Sequence, residues 1–111
     1  MALAPYGYAH EKLVGAMEVM ATTKGSRRQR LARAGRDYLL RLRNPKQHKL
    51  PPELAASLDC LLAELTSVPP QTRWDDTFEA TARNMSWQKS ERLAQQLLSL
   101  FLSVVELRRS A

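Results

Sequence analysis

Proline placement constrains this chain more than any other feature of it. Pro45, Pro51 and Pro52 form one cluster and Pro69 with Pro70 another. Proline lacks a backbone donor and clashes with the preceding turn, so no helix runs through these points. Between them apolar residues recur at steps of three and four, the spacing of an amphipathic helix. No stretch alternates apolar and polar residues as a half-buried strand does. Only four glycines occur in 111 residues, and Ala, Leu, Arg, Gln and Glu are abundant. All five are good helix formers. The pattern predicts an all-α, single-domain helical bundle of four main helices plus one short helix, filling residues 1–111. Residues 1–8 are expected as a loosely ordered N-terminal arm.

The first predicted helix spans 9–22, with Leu13, Met17 and Met20 as its apolar stripe. Gly25 breaks the chain and Ser26 is placed to cap a second helix over 27–43. On that helix Leu31, Ala34, Tyr38 and Leu42 share one face, and Gly35 on the same face permits a close helix approach. The segment 43–52 reads as a loop. The third helix, 52–66, opens on Pro52 and Glu53 and buries Leu54, Leu58, Leu61, Leu62 and Leu65. Its other side is a line of small residues, Ala56, Cys60 and Ala63. A short fourth helix over 75–84 takes Thr72 or Asp75 as its cap, with Trp74, Phe78 and Met85 on one face. Ser86 caps the last helix, 87–108. There Leu93, Leu97, Leu100, Phe101, Val104 and Leu107 are joined by Ala94, Leu98, Leu102 and Val105, an apolar arc covering more than half the circumference. A helix that apolar is central in its bundle or has a partner chain on its second side. A homodimer is therefore expected, with Leu93, Leu100 and Leu107, or Ala56, Cys60 and Ala63, as candidate interface.

Charge is unevenly distributed. Residues 24–49 hold ten of the seventeen Lys and Arg residues and one acid, Asp37, so they carry +9 of a chain whose net charge is +6. Arg30 and Arg41 flank the apolar stripe of the second helix and are expected to reach acids such as Glu53 or Glu64 on a neighbour. Arg33, Arg36 and Arg43 project from its far side. Arg27, Arg28, Lys46 and Lys49 extend this patch, and Leu40 gives it an apolar centre. Guanidinium groups around an apolar residue suit an anionic macromolecular surface. An acidic protein partner comes first; the phosphate backbone of a nucleic acid is the alternative, and a purely structural homo-oligomer the third reading. Against nucleic acid stands the lack of a free aromatic, because Tyr38 is assigned to the core. The turn of a helix-turn-helix is also missing.

No catalytic constellation emerges. His10 and His48 have no acid at helical spacing, and Cys60 lies on the small-residue face. They read as a solvated histidine, a loop histidine and a packing cysteine. Asp75 and Asp76 are adjacent and point apart on a helix, which suits a cap pair better than an acid and base. Phosphate-loop, dinucleotide, zinc-protease and calcium-loop motifs do not occur. The expectation is a non-enzymatic interaction module (adaptor, inhibitor or regulatory subunit) with no cofactor or metal. One cysteine makes no intrachain disulfide, no apolar run reaches the ~18 residues of a membrane span, and the opening "MALAPYGYAHEK" lacks a signal-peptide pattern. A cytoplasmic setting without membrane contact is expected.

Four stretches, "ATTKGSRRQRL" (21–31), "LPPEL" (50–54), "LT" (65–66) and "MSWQKSERLA" (85–94), resemble the recurring pattern of a loose group of small uncharacterised bacterial proteins. In that pattern an AT-x-x-G turn leads into an Arg-rich helix, followed by an L-P-x-E-L helix start and a final M-S helix. The resemblance covers about residues 13–105. It implies a bacterial or phage-borne chain with a common helical frame. Turns and caps report a fold, so it carries over no activity and no site residues.

Overall fold

The computed structural model describes residues 6–73 and 76–110. Every regular element among them is helical: α1 (Gly7–Thr22), α2 (Arg27–Asp37), a 3-10 turn (Leu39–Leu42), α3 (Pro45–His48), α4 (Pro52–Leu65), α5 (Thr77–Arg83) and α6 (Trp87–Ser110). The four long helices and the short α5 are those expected from the sequence; the 3-10 turn and α3 are additional. Helix α1 already starts at Gly7, with Tyr6 and Tyr8 half-buried against the core; the rest of the expected arm, residues 1–5, lies outside the described residues.

The Arg-rich α2 is the central element, in contact with α1, α4, α5 and α6. Its sequence explains how so charged a helix is held there. Leu31, Ala32, Ala34 and Gly35 make one buried face of small residues around a single leucine. A Cβ on Gly35 would lie 2.6 Å from the Phe78 ring, so glycine is what lets α5 pack this closely. Ser26 starts α2 with a full capping box: its hydroxyl accepts from the Gln29 N–H at 3.2 Å, and the Gln29 side chain accepts from the Ser26 N–H at 3.0 Å.

The second helix does not run to Arg43 as predicted. It stops at Asp37, and the chain tightens into the 3-10 turn, where side chains three apart eclipse. Leu39 and Leu42 thereby both enter the core. Tyr38, at the joint, lays its ring where a Cβ on Gly15 would stand. Neither does 43–52 form a plain loop. Asn44 caps α3 by accepting from the Lys46 N–H at 2.9 Å, and Pro45 takes the first helical position, where its missing N–H costs nothing. Lys49, left-handed at φ 55°, ends that turn.

In α4 Leu58, Leu61, Leu62 and Leu65 are buried and Leu54 half-buried, as the spacing predicts. On α1 the buried residues are Ala9, Leu13, Gly15 and Ala16, while Met17 and Met20 sit at the core's edge. Asp76 caps α5, accepting from the Glu79 N–H at 2.8 Å. The predicted cap Asp75 and the aromatic Trp74 lie outside the described residues. Ser86 caps α6 as expected, accepting from the Lys89 N–H at 3.0 Å. No helix among the described residues is long and apolar enough to cross a membrane.

Candidate cationic site

The basic stretch divides into three sets by what holds each side chain. Arg36 is committed inside the fold. Its guanidinium meets Asp76 at 3.0 Å and Glu79 at 2.9 Å, clasping α2 to the start of α5. The hydrogen bond to Asp76, then that to Glu79, holds its proton more firmly than usual against some loss from burial. Arg33 reaches Asp37 one turn on, at 3.5 Å. The expected pairing of Arg30 and Arg41 with Glu53 or Glu64 does not form. Arg41 donates to the Asp37 carbonyl at 3.2 Å, and Glu64 instead takes both terminal nitrogens of Arg92 on α6 at 3.0–3.2 Å. Arg36 therefore does not belong to a free outer patch with Arg33 and Arg43.

The second set is positioned without being neutralised. Arg27 donates to the Ser90 hydroxyl at 3.0 Å and the Trp87 carbonyl at 3.4 Å. Arg28 donates to the Met85 carbonyl at 3.1 Å. Arg30 donates to the Met20 carbonyl at 2.6 Å. No carboxylate pairs with these three among the described residues. A guanidinium has five donors, so each keeps unused N–H groups and its full charge while its orientation is fixed.

Trp87 completes this end of the molecule. It is 65% exposed, and the Arg27 guanidinium lies 4.8 Å from its ring centroid, a cation–π distance. The starts of α2 and α6 meet here because Arg27 and Arg28 reach across to the 85–90 segment. Ser26, Arg27, Arg28, Arg30, Ser86 and Trp87 line one groove. On the other side of Arg28 a second groove runs between α2 and α5, lined by Lys24, Arg28, Arg33, Arg36 and Arg83, with Glu79 its one acid. Sequence reasoning missed Trp87, Lys24 and Arg83 as members. Nothing periodic links residues 27 and 87; only the packing of two helix starts does. An exposed aromatic does accompany the bases, contrary to the expectation from Tyr38 alone.

The third set, Arg43, Lys46 and Lys49, is exposed and has no side-chain partner among the described residues. It sits on the far side of the 3-10 turn and does not join the groove at Trp87. Leu40 is half-buried between Arg36 and Arg43, beside Leu62 and Phe78, so it belongs to the core's edge.

The candidate interface residues also separate. Leu93 and Leu100 are 0% and 3% exposed within the chain's own core, and Leu107 is half-buried. They are not surface, because α6 turns that side toward α1, α2 and α4. The exposed large apolar residues of α6 are Leu98, Leu102 and Trp87. Ala56, Cys60 and Ala63 are exposed on α4. Ala56 and Cys60 face Gln95, Gln96 and Ser99 of α6 across a shallow groove, while Ala63 lines a different hollow near Leu40.

The three residues considered for catalysis lie on separate elements. His48 is buried, not a loop residue, and its Nδ1 accepts from the Leu50 N–H at 2.9 Å. Burial lowers its pKa, partly opposed by the charge of Asp59. His10 stacks on Phe101 and its Nδ1 accepts from Arg108 at 2.7 Å. Burial first and the Arg108 charge second lower its pKa. Cys60 is exposed. Among the described residues no three His, Cys, Asp or Glu side chains gather as a metal site. No known family model, curated protein or solved structure matches the chain.

Proposed function

We propose that this protein is a small non-enzymatic binding module that holds a single nucleic-acid strand at its cationic end. One observation carries the reading: Arg27, Arg28 and Arg30 are fixed by carbonyl and hydroxyl groups, unneutralised, around the exposed Trp87. Phosphates take the spare guanidinium donors, and an exposed indole offers a stacking face to any base. This reverses the order that the sequence suggests, in which an acidic protein partner leads. The same reading includes a homodimer, because α6 keeps an apolar strip outside the core.

Fluorescence anisotropy tests the binding reading, with a labelled single-stranded oligonucleotide and a labelled polyglutamate peptide as probes. The oligonucleotide is expected to bind. Trp87→Ala is expected to weaken it by about 1–3 kcal/mol, roughly 5- to 150-fold, with the helical circular dichroism unchanged. Binding of the peptide and not the oligonucleotide would make the partner an acidic protein. Binding of neither would leave the charge to solubility and helix orientation.

A further inference from the structure

Helix α6 carries a second strip, distinct from its core face. At 100° per residue, Glu91, Ala94, Leu98, Leu102, Val105 and Arg109 fall within about 40° of one line along the helix. Leu98 and Leu102 are 42% and 54% exposed, and Ala94 and Val105 are half-buried. The steps of three and four are those of a helix–helix seam, yet among the described residues its two leucines stay exposed. Its only charged residues are Glu91 and Arg109, one near each end and opposite in sign. The Glu91 side chain has no hydrogen bond or ion pair among the described residues. Arg109 has only a 3.6 Å contact with Glu106, in which both side chains are largely exposed.

The two leucines and the two charges of the strip are symmetric about one position. Leu98 and Leu102 stand two residues either side of Leu100, and Glu91 and Arg109 nine residues either side. We propose that a second copy of this chain covers it, with the two α6 helices antiparallel and crossing opposite Leu100. A two-fold interface makes every contact twice. Leu98 of each copy meets Leu102 of the other, and Glu91 of each meets Arg109 of the other. A parallel pair would set Glu91 against Glu91 and Arg109 against Arg109, so the charges select the antiparallel arrangement. Trp87 lies thirteen residues from the crossing, so the two cationic ends would sit about 39 Å apart along the pair. The inference rests on the homodimer reading and adds its surface, direction and register.

Analytical ultracentrifugation of the full chain tests it. The parent is expected at twice 12.6 kDa. The double variant Leu98→Glu, Leu102→Glu is expected to be a monomer with unchanged circular dichroism, since both leucines lie outside the core. Glu91→Arg alone and Arg109→Glu alone should each weaken the dimer about tenfold, and the two together should restore it. A dimer indifferent to Leu98→Glu, Leu102→Glu would keep the homodimer and overturn this seam. Weakening by each single reversal without restoration in the pair would overturn the antiparallel register. A parent that stays a monomer at every concentration would overturn both the seam and the homodimer.

Discussion

His48 shows how one residue ties acid sensitivity to burial. Its imidazole is 2% exposed and must stay unprotonated at Nδ1 to accept from the Leu50 N–H. Burial lowers its pKa in the fold, whereas in the unfolded chain it titrates near the ordinary value of about 6.5. Below that pH the unfolded state holds more protons, so stability falls as pH drops. The contribution is complete above about pH 6.5 and is lost as pH falls through the lowered native value. His10, also lowered, adds in the same direction. Urea midpoints should therefore fall between about pH 7.5 and about pH 5. His48→Gln should lower stability by about 1 kcal/mol at neutral pH, through the disturbed acceptor, and flatten that dependence. An unchanged pH dependence in the variant would remove His48 from the explanation. In the sequence His48 falls in a loop, because Pro45 signals a break; at the first helical position it starts α3 instead.

At the scale of elements, packing outweighs charge in holding α2 to α5. The clasp of Arg36 on Asp76 and Glu79 is partly solvated on both sides, and ion pairs of that kind contribute about 0–1 kcal/mol. The contact of Gly35 with Phe78 leaves no space for a side chain. Gly35→Leu should cost about 2–3 kcal/mol by overpacking, whereas Arg36→Ala should cost no more than about 1 kcal/mol. Thermal melts of the two variants compare these directly, and equal losses would contradict the ranking. What the sequence revealed at this scale was local. The α4 leucines, the Ser26 capping box and the Ser86 cap are set by neighbours within a turn or two. The break at Asp37 was not legible, because Leu31, Ala34, Tyr38 and Leu42 keep helical spacing through it. The seat of Tyr38 on Gly15 and the burial of Leu39 with Leu42 belong to tertiary packing.

For the whole molecule, the lesson concerns where unneutralised charge ends up. A block of ten bases marks a strongly cationic stretch in outline, but the sequence could not say which bases remain available. The fold returns Arg36 to its own acids, leaves Arg43, Lys46 and Lys49 on another surface, and sets Arg27 against a tryptophan sixty residues away, with Arg28 and Arg30 lining the same groove. Net charge alone would attract any polyanion; a fixed cluster with an aromatic face should bind one strand with a countable number of phosphates. The salt dependence of oligonucleotide affinity measures that number most directly. Between about 50 and 200 mM salt, each phosphate contact on a single strand contributes about −0.7 to the slope of log K against log salt. Three or four engaged cations give a slope of about −2 to −3. Arg28→Ala should bring it about 0.7 closer to zero, and Lys46→Ala should leave it unchanged. Equal changes for Arg28 and Lys46 would contradict a defined site at Trp87 and reduce the binding to general charge.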